Sequence, residues 1–121
     1  MNATAADFDD VPQFDRERVE ELRRLRNGSL FKALAQGYRE QGEREIADIR
    51  KALAAGELER GAVITHSLKS SSLNIGAQIV GAITRRLEGD LHEGRTDSLA
   101  RLCDELDENF HKALLELQTL G

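Results

Sequence analysis

Apolar residues recur every three or four positions over most of this chain, a spacing that places them on one side of an α-helix. The longest such pattern lies near the C-terminus and consists of Leu99, Leu102, Leu106, Phe110, Ala113, Leu114, Leu117 and Leu120. We predict a helix there over residues 98–120, with Cys103 packed at the edge of its apolar face. No segment shows the sustained alternation of apolar and polar residues that is typical of a β-strand.

Similar patterns, together with the residues that flank them, predict five helices: 15–26, 30–55, 58–73, 77–93 and 98–120. Asp15 is a suitable N-cap for the first helix and Ser29 for the second, because short oxygen-bearing side chains accept hydrogen bonds from free helix amides. Gly28, Gly56 and Gly94 stand where helices are expected to end. The pattern therefore predicts an all-α fold: an antiparallel four-helix bundle with an additional short N-terminal helix packed across one end.

Composition agrees with a single helical domain. The chain has 121 residues, 40% of them hydrophobic, and only 4% aromatic. We expect residues 1–13 to form a flexible leader, to which Phe8 and Val11 could add a contact with the bundle, and residues 14–121 to form the domain. Met1 and the short leader favour a free-standing protein.

Charge and cysteine content exclude several classes of function. The net charge of −5 argues against general nucleic-acid binding and against an anionic membrane surface. No apolar run approaches the roughly 18 residues of a membrane span, and no secretory signal pattern is present. Cys103 is the only cysteine, so no internal disulfide can form. A cytoplasmic protein is expected, and nothing in the pattern requires a dimer.

One histidine lies opposite the apolar stripe of the third predicted helix. On a helical wheel of 100° per residue with Ile64 as origin, Leu68, Ser71 and Ile75 fall within about 40° and form an inward stripe. His66 falls at about 200°, on the face that points to water. The sequence therefore predicts an exposed imidazole near the middle of this helix.

The neighbours of His66 on this face suit a histidine that accepts a phosphoryl group. Lys69 and Ser70 follow it by three and four residues, and Ala62 and Leu73 complete the face above and below. An exposed imidazole is largely neutral at pH 7, so a ring nitrogen is available for attack, and a lysine one turn away can balance the added negative charge. The other interpretation is a surface histidine with no role, which general statistics favour for an arbitrary histidine.

The same stretch resembles the signature of histidine-containing phosphotransfer (HPt) domains, which is roughly H-x-L-K-G-S-S-x-x-h-G-A with h apolar. The matching positions are His66, Leu68, Lys69, Ser71, Ser72, Ile75, Gly76 and Ala77. The sequence departs from this signature at Ser70, where the family usually has glycine. Serine is also small, so partner docking should survive with an altered preference. The resemblance in helical layout covers about residues 14–120.

This resemblance implies a phosphoryl carrier of a two-component phosphorelay. His66 would accept a phosphoryl group from the aspartate of a receiver domain, at the ring nitrogen farther from the backbone, and pass it to a second receiver. The partners would be response-regulator receiver domains, a hybrid histidine kinase, or both. The receiver would supply Mg²⁺, and the chain itself would need no cofactor.

The resemblance also implies roles for individual residues. Glu88 lies 22 positions after His66, a separation similar to the family's, and would bond the non-reacting ring nitrogen. Its alternative role is that of a solvated surface glutamate. Lys69 would stabilise the phosphoryl charge, and Ala62, Ser70 and Leu73 would form the docking surface for partners.

Other chemistry finds no support in the sequence. The three histidines and Cys103 lack the spacing of a zinc site, and no phosphate-binding loop suggests an ATP site. The chain is therefore not expected to be a kinase. The alternative from a different class is a helical adaptor that binds a signalling partner through the same surface without phosphorylation.

Overall fold

The computed structural model describes residues 11–120, and these residues form five α-helices. A short 3₁₀ turn, Leu25–Gly28, follows the first of them. The helices are α1 Arg16–Arg24, α2 Ser29–Ala54, α3 Leu58–Ile75, α4 Gln78–His92 and α5 Leu99–Leu120. The order and number of helices agree with the prediction made from the apolar pattern.

Helices α2 to α5 form a closed four-helix arrangement. Each packs on the next, and α5 returns to pack on α2. The connections between them are short, and short connections join antiparallel neighbours in a bundle. Helix α1 contacts α2 and α3 outside this ring. The predicted all-α bundle with an additional N-terminal helix is thus confirmed.

The core is built from the apolar stripes of these helices. All eight apolar positions predicted for α5 are buried, and so is Cys103 at the edge of the same face. Val80, Ile83 and Leu87 of α4 are completely buried. No helix within residues 11–120 is both long and apolar enough to cross a membrane.

Two expectations about helix ends were wrong. Ser29 does not cap α2 from outside, since it is the first helical residue and Gly28 precedes it in the left-handed region with φ 87°. The first helix was predicted to continue to residue 26, but it ends at Arg24, and Leu25 lies half exposed in the 3₁₀ turn that follows. Asp15 caps α1 as predicted, and its carboxylate accepts hydrogen bonds from the amides of Glu17 and Arg18.

Helix α3 is longer than predicted and its buried face is rotated. It continues through Ile75 and ends at Gly76, whose φ of 87° is readily adopted only by glycine. Thr65 and Ser72 are completely buried beside Leu68. Ser71, which was expected to point inward, is only half buried and donates a hydrogen bond to the carbonyl of Leu68.

The segment that leads into α1 and includes its first residues holds the α3–α4 joint in place. The amide of Asp15 donates to the carbonyl of Gly76 at 2.8 Å, and the amide of Gln78 donates to the carbonyl of Gln13 at 2.8 Å. Phe14 lies between these bonds and is buried, opposite Ala77. We call residues 13–18 the N-terminal strap. Val11 packs against the core just before it, whereas Phe8 lies outside the described residues.

Candidate functional site

Packing of α3 against α4 brings His66 and Glu88 together. Nδ1 of His66 lies 2.9 Å from Oε2 of Glu88. The imidazole remains 60% exposed, whereas the Glu88 side chain is only 13% exposed. The exposed histidine predicted from the helical wheel is therefore present, and Glu88 is one of its partners rather than a solvated surface residue.

The charge of Glu88 decides which ring nitrogen carries the hydrogen. Burial of Glu88 acts to raise its pKa, but hydrogen bonds from Lys69 and His66 outweigh this effect and leave the pKa below its usual value. Glu88 is therefore ionised at neutral pH, and an ionised carboxylate only accepts hydrogen bonds. Nδ1 of His66 must be the donor, so Nε2 of neutral His66 carries a free lone pair.

Lys69 is held by the same carboxylate. Its Nζ lies 2.6 Å from Oε1 of Glu88, and the side chain is largely buried. An ammonium group has three hydrogens, so this contact leaves two of them for another acceptor. Lys69 therefore adjoins His66 through Glu88, with part of its charge already compensated.

Nε2 of His66 faces an open surface. Within residues 11–120 this nitrogen has no hydrogen-bond partner. Ser70 is exposed beside it, one turn further along α3, and Leu73 is partly exposed. A small hydroxyl-bearing residue and an apolar side chain thus lie on the same face as the imidazole.

Ala62 does not lie on this surface, contrary to the expectation from the sequence. Its side chain is 3% exposed and belongs to the core. The rotation of the buried face of α3 explains the error, since the true inward direction passes near Thr65 and Ser72. Val63 takes the outer position instead, with 71% of the residue exposed.

A buried hydroxyl pair supports α3 from the opposite side. The hydroxyls of Ser72 and Tyr38 lie 2.8 Å apart, and Tyr38 packs its ring against Phe110 with ring centroids 5.3 Å apart. Burial raises the pKa of Tyr38 far above its usual range, so its hydroxyl stays protonated. Of the two adjacent serines that match the motif, Ser72 therefore binds α3 to α2, and only Ser71 lies near the surface.

His92 is a site residue that the sequence analysis missed. Its Nε2 lies 3.5 Å from Oε2 of Glu88, the same oxygen that contacts His66. His92 follows Glu88 by four residues on one helix, and this spacing is the signal that could have identified it. Among residues 11–120, no group of three or more His, Cys, Asp or Glu side chains could hold a metal ion.

A solved structure has the same fold as this chain. The chain is similar to histidine-containing phosphotransfer protein B (HptB) from Pseudomonas aeruginosa PAO1, with a TM-score of 0.85 at 19% sequence identity. The match covers 90% of this chain and 94% of that chain. At this identity the likeness carries the fold and not the roles of particular residues. No curated protein matches the chain significantly.

The sequence also matches a family model. The model is that of the Hpt domain, and the match runs over residues 33–118, which include His66, Lys69 and Glu88. Proteins of this family carry phosphoryl groups and work with receiver domains and histidine kinases. The chain belongs to the histidine-containing phosphotransfer domain family, and it functions in histidine phosphotransfer in a two-component phosphorelay.

Proposed function

We propose that His66 is the residue that carries the phosphoryl group. The observation that supports this most directly is the 2.9 Å contact between Nδ1 of His66 and Glu88, on an imidazole that is otherwise exposed. The contact assigns the hydrogen to Nδ1 and leaves Nε2 as the nucleophile. His111 and His92 are also exposed, but neither has a carboxylate within 3.0 Å of a ring nitrogen in the described chain.

The proposed reaction is a transfer between an aspartate and His66. Nε2 attacks the phosphorus of an aspartyl phosphate on a receiver domain, the new N–P bond forms, and the bond between phosphorus and the aspartate oxygen breaks. The electron pair of that bond stays on the aspartate, which leaves as a carboxylate. The hydrogen on Nδ1 remains directed at Glu88, so the positive charge on the imidazole lies beside a negative one. The reverse reaction passes the group to a second receiver.

Lys69 is proposed to stabilise the phosphorylated state. Its ammonium is fixed on Oε1 of Glu88 and has two further hydrogens that can point to phosphoryl oxygens. Because Glu88 compensates part of the Lys69 charge, the effect on the phosphoryl group is smaller than that of an isolated lysine. The receiver is proposed to supply Mg²⁺ and the remaining catalytic groups.

The proposed docking surface consists of Val63, Ser70 and Leu73, with Val63 in the position first expected for Ala62. Val63 and Leu73 are exposed apolar side chains on the same helix as His66, and they can be buried against a partner. Ser70 sets how closely a partner backbone approaches the imidazole. We propose that the protein is a monomer, since the apolar stripes of its helices are buried within one bundle. We also propose that it is located in the cytoplasm, together with its receiver domains.

The test is transfer from a phosphorylated receiver domain, measured by intact mass under non-acidic conditions. Wild-type protein should gain one phosphoryl group that is lost in acid. His66→Gln should gain none and should keep the thermal stability of the wild type, because the imidazole faces water. His111→Gln is the matched control, an exposed histidine on α5, and should behave as the wild type.

Two results would contradict the proposal. Phosphorylation of His66→Gln at the wild-type rate would show that another residue accepts the phosphoryl group. A folded wild-type protein that binds receivers and never gains a phosphoryl group would instead support the adaptor function.

A further inference from the structure

The carboxylate of Glu88 has contacts on both of its oxygens. Oε1 lies 2.6 Å from Nζ of Lys69, and Oε2 lies 2.9 Å from Nδ1 of His66 and 3.5 Å from Nε2 of His92. Lys69 and His66 are both on α3, whereas His92 is on α4, the helix of Glu88 itself. The third contact therefore reaches the carboxylate from a different helix than the first two.

These contacts do not exclude one another. An ionised carboxylate has about four positions at which it accepts hydrogen bonds, so the hydrogen bond from His66 leaves Oε2 able to attract a second polar group. Nε2 of His92, 3.5 Å away, is such a group, at a distance longer than a normal hydrogen bond. Nδ1 of His66 and Nε2 of His92 thus lie close to the same oxygen atom, although they belong to different helices.

The position of His92 in α4 favours this contact. His92 is the last residue of the helix, where the free carbonyl groups create a partial negative charge that favours a basic side chain. A glutamate followed after four residues by a basic residue is also the favourable order for an ion pair on a helix. The His92 side chain is 66% exposed, so the pair forms at the rim of the site rather than in the core.

We propose that His92 is a positioning residue for phosphotransfer, acting through Glu88. Glutamate has three rotatable side-chain bonds, and both hydrogen bonds to the Glu88 carboxylate come from α3. Contact with His92 restricts rotation of the side chain and keeps a lone pair of Oε2 directed at Nδ1 of His66. The orientation of the His66 imidazole then depends on His92. So does the fraction of neutral His66 that carries its hydrogen on Nδ1. This inference rests on the proposed roles of His66 and Glu88.

The experiment compares His92→Ala, His92→Lys and the control His111→Ala, in protein with ¹⁵N-labelled histidine. The ring nitrogen shifts of neutral His66 measure the share of the form with hydrogen on Nδ1. His92→Ala should lower this share and slow phosphoryl acceptance by about twofold to fivefold, the range of an exposed ion pair. His92→Lys places an ammonium group four residues after Glu88 and should restore both values. His111→Ala should leave both unchanged.

The ¹⁵N measurement uses the unphosphorylated protein, so it separates this inference from the proposed function. If wild type accepts no phosphoryl group, the proposed function fails, and the nitrogen shifts still decide the role of His92. If the ¹⁵N shifts of the His66 ring in His92→Ala equal those of the wild type, the inference is overturned. A His92→Lys protein as impaired as His92→Ala, at equal thermal stability, would also overturn it, because a cation at this position would then be insufficient.

Discussion

The charge on Glu88 controls what the imidazole of His66 can do. An ionised carboxylate accepts the Nδ1 hydrogen and thereby fixes the form of the ring in which Nε2 is the nucleophile. A glutamine in its place has almost the same shape, but its amide both donates and accepts. It would no longer favour hydrogen on Nδ1 and would no longer compensate positive charge on the ring.

We therefore expect Glu88→Gln to slow phosphoryl acceptance by roughly tenfold or more, as loss of an orienting partner does at other sites. The protein should remain folded, with an unchanged circular dichroism spectrum. Glu108→Gln is the matched control, an exposed glutamate on α5 paired with Lys112. Equal transfer rates for Glu88→Gln and Glu108→Gln would show that the carboxylate does not act on His66.

The lowered pKa of Glu88 also predicts a dependence of stability on pH. A carboxyl group whose pKa is lower in the folded than in the unfolded state stabilises the fold above its unfolded pKa, about 4.3. This contribution is lost as the pH falls through the folded pKa. Wild type should thus be more stable than Glu88→Gln at pH 7, and urea unfolding should show the difference shrinking below pH 4. A difference that stays constant down to pH 3 would contradict this assignment.

The sequence predicted the centre of the site but not its edge. His66 and Lys69 could be connected from helix periodicity, because spacing along a helix determines which side chains are neighbours. Glu88 lies on another helix and could be connected to His66 only through the resemblance to the HPt family. Val63 could not be placed, because the buried face of α3 contains hydroxyl groups. Thr65 donates to the carbonyl of Gly61 at 2.7 Å, and this bond lets a polar residue occupy the core. A search for apolar residues alone therefore misjudged the inward direction.

At the scale of a helix, two glycines of α2 have opposite surroundings. A Cβ atom on Gly42 would collide with the ring of Phe110, whereas a Cβ atom on Gly37 would meet no atom within 4 Å. Both residues lie inside α2, where glycine costs about 1 kcal/mol relative to alanine. Gly42 therefore lies where α2 approaches α5 too closely for a larger residue, and no contact of this kind accounts for Gly37.

Gly37→Ala should stabilise the protein by about 0.5–1 kcal/mol, because alanine favours the helix and finds open space. Gly42→Ala should destabilise it by about 1–3 kcal/mol, because the added methyl group displaces Phe110 and disturbs its contact with Tyr38. Urea unfolding of the two variants measures both effects, and each is the control for the other. A stabilised Gly42→Ala protein would mean that α2 and α5 can separate without cost.

Helix ends show where local sequence information was insufficient. The three serines and Asn74 favour an early end of α3, since their side chains compete for backbone hydrogen bonds. The helix nevertheless continues to Ile75. Arg18 of the N-terminal strap donates to both the carbonyl and the side-chain oxygen of Asn74, at 2.8 Å each. These bonds satisfy groups at the helix end, and they come from a part of the chain 56 residues away.

Over the whole molecule, the folded unit extends beyond the match to the Hpt family model. That match begins at residue 33, yet the N-terminal strap binds the joint between the two helices that carry His66 and Glu88. Phe14 is 1% exposed within the common core. Loss of its side chain should therefore weaken the entire bundle and not only the N-terminal segment.

We expect Phe14→Ala to lower the free energy of unfolding by about 3–5 kcal/mol, as for other buried phenylalanines. The loss should appear in one cooperative transition, with the same midpoint by helical signal and by Tyr38 fluorescence, because the strap and the bundle share a core. Leu115→Ala, which removes an exposed apolar side chain from α5, should change the free energy by no more than about 0.5 kcal/mol. A Phe14→Ala protein as stable as Leu115→Ala would show that residues 13–18 bind to a bundle that is already complete. His66 and Glu88 would then owe their alignment to the contacts between α3 and α4 alone.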